Sequence, residues 1–341
     1  MTMGVGEKPV RVLVADDSAL FRELLTRVIE SEPGFEVVAS AADGDEAAAQ
    51  VRRLRPDVVT MDLNMPDADG FSGIARIMAD TPTPILVLTV SREEAVGFRA
   101  LSLGALDILE KPSPDSNLDD YGALLRSRLR LLAGVRVIRH LRGLRQRPAA
   151  EPRPGARSEL VVIGASLGGP RALAALLRGL SGDFPAPILV VQHIADGFTE
   201  GLAAWLDTET PLRVREARDG DPLRPGQVLV APTGRHLVVE AGLAHLSDTP
   251  AVDTFKPSVT PLFVSAAEAY ARRACGVVLT GMGRDGADGV RRLKRAGGHV
   301  IAQDEGTSAV FGMPRAAIET GAVDQVLPLD DIPRALAELV R

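Results

Sequence analysis

Short apolar runs recur along the chain, each closed by small or charged residues and followed by a stretch with helical spacing. Val10 to Ala15 is the first, ending in Asp16-Asp17-Ser18. Leu20, Phe21, Leu24, Leu25, Val28 and Ile29 then recur at steps of three and four, which predicts an amphipathic helix. Pro33-Gly34 stops that helix and Phe35 to Ala39 starts a second strand. Asp43-Gly44-Asp45-Glu46 opens a second helix that runs to about Leu54. Further strands are predicted at Asp57–Met61, Pro84–Leu88 and Ala105–Leu109, ending respectively at Asp62, Thr89 and Glu110-Lys111-Pro112. Strands alternating with helices of this length imply a doubly wound parallel sheet.

The pattern restarts at Leu160-Val161-Val162-Ile163, which passes through Gly164-Ala165-Ser166-Leu167-Gly168-Gly169 into Pro170 and a helix over 171–177. Proline is well placed in a first helical turn. Pro187 to Val191 forms another strand, closed by Gln192-His193. Gly276 to Thr280 forms another, followed by Gly281-Met282-Gly283-Arg284-Asp285-Gly286 and a helix from Asp288 to Ala296. Gln227–Pro232, Leu237–Glu240 and Ala244–Leu246 predict a small antiparallel meander with glycine turns. Phe311-Gly312-Met313-Pro314 suits a cleft wall or simple packing. The fold class is therefore α/β, with two doubly wound parallel-sheet domains, the second carrying the meander.

Between them, residues 118–147 read as a basic helix with Arg126, Arg128, Arg130, Arg136, Arg139, Arg142, Arg145 and Arg147. Leu124, Leu125, Leu129, Leu132 and Val135 supply an apolar stripe. Pro148 to Arg157 is proline-rich and marks a boundary. We place the first domain at 8–125, the basic and proline-rich linker at 126–158 and the second domain at 159–341. The arginines suit a nucleic-acid or partner-binding arm, or a solvated connector.

A length of 341 residues accommodates about two domains. The formal charge of −6 weighs against a nucleic-acid partner. Cys275 is the single cysteine, which excludes a disulfide framework and a thiolate metal cluster. The sequence carries neither a signal-peptide pattern nor an apolar run of membrane-spanning length, so a cytoplasmic location without membrane insertion is expected. The lysines are Lys8, Lys111, Lys256 and Lys294, which makes Lys111 conspicuous.

Asp16, Asp17, Asp62, Thr89 and Lys111 all fall just beyond strand ends, where open α/β sheets place their sites. Converging carboxylates repel unless a cation joins them, and hard oxygen ligands suit Mg²⁺. A carboxylate held this way can attack a phosphoryl group, and a lysine with a hydroxyl can hold the new phosphate oxygens. Singly, each of these residues also fits a helix cap or a solvated loop.

Ser166, His193 and Asp285 occupy the same kind of position in the second half. They supply a nucleophile, a general base and an orienting carboxylate, which is what acyl transfer requires. Singly they read as a helix cap, a loop histidine and another cap. The letters Gly164-Ala165-Ser166-Leu167-Gly168 match a nucleophile elbow, but the chain order Ser, His, Asp differs from the α/β-hydrolase order. Dinucleotide binding is disfavoured, because the loop lacks the middle glycine and the following strand ends in His193 rather than an acid.

The first half, over about residues 8–125, resembles the receiver domain of two-component response regulators, a flavodoxin-like fold. The run Met61-Asp62-Leu63-Asn64-Met65-Pro66-Asp67-Ala68-Asp69-Gly70 is especially similar. The resemblance implies that Asp62 is the phospho-acceptor, that Asp16, Asp17 and Asp62 bind Mg²⁺, and that Thr89 and Lys111 sense the phosphate. The family's aromatic switch position is Ile108 here.

The whole chain resembles the chemotaxis response-regulator protein-glutamate methylesterases, the CheB family. The shared motifs are Gly164–Gly169, Val191-Gln192-His193, Ala231-Pro232 with Gly234-Arg235-His236, Lys256–Val259, Leu279–Ala287 and Val310–Ala317. The resemblance implies a Ser166–His193–Asp285 triad with Leu167 and the Met282 backbone at the oxyanion cleft, and no cofactor in the catalytic domain. His236, His245 and His299 are expected to be ordinary loop histidines. Leu167 stands where the family usually has threonine, and Ala195-Asp196 where it has prolines. The implied activity is demethylation of glutamate γ-methyl esters, with glutamine deamidation, on methyl-accepting chemoreceptors. A chemotaxis-type histidine kinase is the implied phosphodonor, and in this family the unphosphorylated receiver obstructs the cleft. The competing readings are a receiver-linked DNA- or protein-binding module, for which no helix-turn-helix pair is evident, and a methylesterase of a non-chemotactic signalling array.

Overall fold

The computed structural model describes residues 8–65, 70–89, 94–135, 158–194, 197–252 and 255–340. The chain divides into two compact units, Met1–Leu144 and Arg145–Arg341. Among the described residues no helix is long and apolar enough to cross a membrane.

In the first unit the elements run β1 (Val10–Ala15), α1 (Ala19–Glu30), β2 (Phe35–Ala41), α2 (Gly44–Leu54), β3 (Val58–Asp62), α3 (Gly70–Asp80), β4 (Ile85–Thr89), α4 (Glu94–Leu103), β5 (Asp107–Glu110) and α5 (Leu118–Ala133). The strands pair in parallel in the order β2-β1-β3-β4-β5. Every residue of β3 and β4 is buried, which is why these segments read as unbroken apolar runs rather than as alternating ones. Ser18 and Asp43 cap α1 and α2 by accepting the N–H groups of Phe21 and Glu46. Both caps stand at the strand-end rim, so the turns that start the helices also shape the site.

Of the basic helix expected over 118–147, the described residues contain α5, and residues 136–147 lie outside them. Helix α5 closes at Gly134, whose N–H returns to the Leu131 and Leu132 carbonyls. Leu125, Leu129 and Leu132 are buried in the first unit, so the connector expected from 126 begins inside a packed helix. Three of the arginines are ion-paired: Arg126 and Arg130 hold Glu32, and Arg128 holds Asp107 at 2.9 Å. Arg136, Arg139, Arg142, Arg145, Arg147 and the segment Pro148–Arg157 lie outside the described residues.

The second unit contains β6 (Leu160–Ala165), α6 (Gly169–Arg178), β7 (Ile188–Gln192), α7 (Thr199–Glu209), β8 (Arg213–Glu216), β9 (Asp221–Pro222), β10 (Gln227–Val230), β11 (His236–Glu240), β12 (Leu243–Ser247), α8 (Val259–Tyr270), β13 (Ala274–Val278), α9 (Ala287–Arg295), β14 (His299–Gln303), α10 (Met313–Glu319), β15 (Gln325–Leu327) and α11 (Ile332–Val340). Seven strands form one parallel sheet in the order β15-β14-β13-β6-β7-β10-β8. The predicted meander needs a correction. Its first segment, β10, pairs in parallel with β7 and β8, and the antiparallel sheet is β11-β12-β9. Val228, Leu229 and Val230 are all buried, as a strand covered on both faces demands.

Helix α8 fills the core on one face of this sheet with Val259, Leu262, Phe263, Ala266 and Ala267. Val259, Leu262 and Phe263 contribute about 1.5–3 kcal/mol each when fully buried. Cys275 lies inside β13, fully buried, and burial pushes its thiol far above the usual range.

Candidate active site

Strand register assembles the site. Ala165 on β6 pairs with Gln192 on β7, and Gly164 on β6 with Val278 on β13. Ser166, His193 and Thr280 therefore leave the sheet at one carboxyl rim. The His193 N–H donates to Ala165 O at 3.0 Å, and the Ser166 N–H donates to Thr280 O at 3.0 Å. The Gln192 Nε2 group ties the two strand ends together, donating to Ser166 O at 2.7 Å and to His193 O at 2.8 Å. Room at the serine depends on glycine: a Cβ on Gly281 would stand 2.7 Å from Ser166 Cβ and 2.4 Å from Met313 Sδ. Gly168 turns the chain into α6 with φ of +74°, a left-handed conformation that favours glycine.

His193 and Asp285 are in direct contact, with Nε2 2.8 Å from Asp285 Oδ2 and both side chains buried. The carboxylate lies against the start of α8. Its Oδ2 also accepts the Val259 N–H at 2.7 Å, and its Oδ1 accepts Ser258 Oγ–H at 2.7 Å and Thr260 Oγ1–H at 2.9 Å. Burial alone would raise this carboxyl. The His193 ring first, then the Ser258 hydroxyl and the Val259 N–H, outweigh burial and hold it at about 2. Asp285 is thus an anion, and it fixes the proton of a neutral imidazole on Nε2. The lone pair of Nδ1 remains; that atom is buried with no hydrogen-bond partner.

Several contributors were invisible in the sequence. Ser258 belonged to the Lys256–Val259 motif without an assigned role, and Thr260 lay just outside it. His236, expected in a loop, is a fully buried residue of β11. Its Nδ1 accepts the Ser258 N–H at 3.1 Å and its Nε2 donates to Pro250 O at 3.1 Å, which fixes its neutral tautomer. His245 and His299 are likewise strand residues, on β12 and β14, facing Asp219 and Asp324. Phe255 lies flat on the His193 ring, with centroids 4.0 Å apart and planes at 4°. The signal for His236 was its place in an apolar run, Leu237-Val238-Val239, that must enter the core.

Leu167 follows the serine with its side chain buried, and its carbonyl accepts Thr280 Oγ1–H at 2.9 Å. Met282 is 45 % exposed on the loop after β13. The Gly281 carbonyl in the same loop accepts the N–H groups of Gly312 and Met313, which gives the Phe311–Pro314 segment a bracing role. Ala195-Asp196 lies outside the described residues.

In the first unit Asp16, Asp17 and Asp62 bring carboxylate oxygens within 4.8 Å of one another at the ends of β1 and β3. Lys111 Nζ stands 2.8 Å from Asp16 Oδ2 and 2.9 Å from Asp62 Oδ2. The Lys111 N–H donates to Thr89 O at 2.7 Å, and the Thr89 side chain is buried. Burial pushes the Asp16 carboxyl up, more than the adjacent Lys111 holds it down. Burial would lower the Lys111 ammonium, but Asp16 and Asp62 together raise it. Asp16 Oδ2, despite its closeness to Lys111, is aligned for no hydrogen bond. Asp16 and Asp62 are buried and Asp17 is exposed, and their converging hard oxygens, with Asp16 Oδ2 short of a hydrogen bond, fit Mg²⁺. A Cβ on Gly70 would fall 2.1 Å from Asp62 O, so the chain after the pocket returns hard against it. Pro66–Asp69 lies outside the described residues, and Ile108 is buried on β5.

One sheet thus carries an acidic pocket with an adjacent lysine, and the other an imidazole–carboxylate pair beside a serine: a receiver coupled to a hydrolase-type α/β domain. Residues 161–336 match the CheB methylesterase family and residues 12–121 the response regulator receiver domain. The chain is 73% identical over 341 residues, covering 100% of both chains, to the protein-glutamate methylesterase/protein-glutamine glutaminase 2 of Anaeromyxobacter dehalogenans. It is 44% identical over 346 residues, 98% of each chain, to the protein-glutamate methylesterase/protein-glutamine glutaminase 4 of Myxococcus xanthus. The crystal structure of the Thermotoga maritima CheB methylesterase catalytic domain superposes with a TM-score of 0.52 at 44% identity, covering 54% of this chain and 100% of that one. The chain belongs to the CheB methylesterase family.

Proposed function

We propose that this chain hydrolyses glutamate γ-methyl esters on chemoreceptors and deamidates their glutamines through an acyl-enzyme on Ser166. The buried, unpartnered His193 Nδ1 is the observation that carries this reading. Because Asp285 holds the ring proton on Nε2, Nδ1 is the atom free to take the serine proton. As Ser166 Oγ bonds to the ester carbonyl carbon, its proton passes to Nδ1 and negative charge moves to the carbonyl oxygen. The backbone N–H groups of Leu167 and Met282 are the donors we assign to that oxygen. Collapse breaks the carbon–methoxy bond, and Nδ1 returns its proton to departing methanol. Water then adds to the acyl-enzyme, losing its proton to Nδ1. Collapse of this second adduct breaks the carbon–Oγ bond, returns a proton to Ser166 and leaves a glutamate side chain. With glutamine as substrate, ammonia leaves instead. Asp285 stays ionised throughout and stabilises the imidazolium.

In the receiver we assign Asp62 as the phospho-acceptor, with Asp16, Asp17 and Asp62 as the residues that would hold Mg²⁺. Bound there, Mg²⁺ would neutralise charge on an incoming phosphoryl group. We assign Lys111 and Thr89 to the phosphate oxygens, and a histidine kinase as the donor class. The chain would act in the cytoplasm. Ser166→Ala is expected to abolish methanol release from methylated chemoreceptor membranes while leaving the fold intact by circular dichroism. Release at the wild-type rate would refute the acyl-enzyme assignment.

A further inference from the structure

We infer that Phe255 is a positioning residue for the methylesterase reaction, stacked on the His193 imidazole so as to hold its plane and favour its protonated form. This rests on His193 being the general base. The rings are parallel to within 4° and their centroids are 4.0 Å apart, so the imidazole lies directly under the negative face of the phenyl ring. A neutral imidazole gains little from that placement. An imidazolium gains more, because the ring quadrupole attracts a cation, and the attraction strengthens where water is excluded. His193 is 8 % exposed and Asp285 2 %, so the pair sits where that condition holds.

The backbone around Phe255 is built to keep the ring in place. Val252 and Phe255 exchange both backbone hydrogen bonds, Val252 N–H to Phe255 O at 3.1 Å and Phe255 N–H to Val252 O at 2.9 Å. On the other side of Phe255 the chain ties Gly234 N–H to Lys256 O at 3.0 Å. It then delivers Ser258, Val259 and Thr260 to the Asp285 carboxylate. One short segment, 255–260, therefore touches both members of the pair: the phenyl ring covers the imidazole, and the hydroxyls and N–H groups hold the acid. With Nε2 fixed by Asp285 and the ring plane fixed by Phe255, rotation of the imidazole is arrested and Nδ1 keeps one direction.

Among the described residues the groups facing the imidazole are Asp285 and Phe255, with Gln192 and Ser166 at the adjoining strand ends. Only Asp285 among these titrates in acid, and at about 2 it stays charged across the working range. A change in the acid limb of the pH profile therefore reports His193. The experiment uses the full-length chain, with methanol release from methylated chemoreceptor membranes followed from about pH 5 to pH 9. Phe255→Leu is expected to lower kcat roughly 3- to 30-fold with KM unchanged, and to move the acid limb to lower pH by roughly half to one pH unit. Phe255→Trp should restore both. Titration of the His193 ring by NMR in Phe255→Leu should show the same downward movement, whatever the turnover rate. An acid limb and ring titration that coincide with wild type would overturn the inference even if activity fell, since a merely structural role would do only that. Ser166→Ala separates the two levels: if it retains methanol release, the general-base reading fails first, whereas its inactivity beside an unmoved Phe255→Leu titration would sink only the role of Phe255.

Discussion

Among the described residues Asp285 receives five hydrogen bonds, from His193, the Ser258 hydroxyl, the Val259 and Thr260 N–H groups and the Thr260 hydroxyl. Hydrogen bonds to a charged group contribute about 1.5–3 kcal/mol each, so Ser258→Ala should lower the unfolding free energy by about that amount in urea. A midpoint equal to wild type would mean that the remaining donors suffice. The same carboxylate makes stability depend on acid. Its folded value of about 2 lies below the ordinary 3.8, so on acidification the unfolded chain binds this proton first. The stabilisation, about 2 kcal/mol, is complete above the ordinary value and disappears as pH falls from about 4 to about 2. Thermal unfolding of wild type and Asp285→Asn should therefore differ near neutrality and converge in that window; a gap independent of pH would contradict the assignment. At this scale the sequence singled out Ser166, His193 and Asp285 as candidates, because each ends or follows an apolar strand. Ser258 and Phe255 were hidden, because their contacts come from a segment that folds back across the rim from far along the chain.

Elements place those residues, and glycines decide how closely the elements approach. Gly164 on β6 packs under the first residue of α8, where an added Cβ would lie 2.4 Å from Val259 Cγ1 and 2.7 Å from Val259 Cγ2. Val259 is also a donor to Asp285. Gly164→Ala should thus displace the helix start, costing about 1–3 kcal/mol of stability and lowering methanol release together. If melting temperature and turnover both stayed at wild-type values, the helix start would be more pliable than the packing implies. Most strands were legible from their apolar runs, since parallel strands buried on both faces leave that signature. Strand β10 was misassigned to the meander because a buried run followed by glycine turns looks alike in either sheet. The register that separates them is set by β7 and β8, not by the segment itself. Helix α5 was legible from its leucines, and its close at Gly134 was not, because the arginine pattern carries no mark at that residue.

The whole molecule joins a phosphoryl-type pocket in one compact unit to a hydrolytic rim in another. If Asp62 phosphorylation governs the second site, acetyl phosphate with Mg²⁺ should raise methanol release by the full-length chain several-fold, and Asp62→Asn should remove that increment without affecting the basal rate. Equal rates with and without the donor would leave the receiver without the regulatory role that the family resemblance implies. The sole thiol bears on how such control can be watched. Cys275 sits in the middle of the larger sheet with its sulfur protonated and inaccessible. Maleimide dyes and nitroxide reagents should accordingly ignore the native protein, so one cysteine engineered onto the surface of each unit gives a selectively tagged pair without first mutating the natural residue. Spectroscopic rulers on that pair would follow the separation of the two units while the phosphodonor acts.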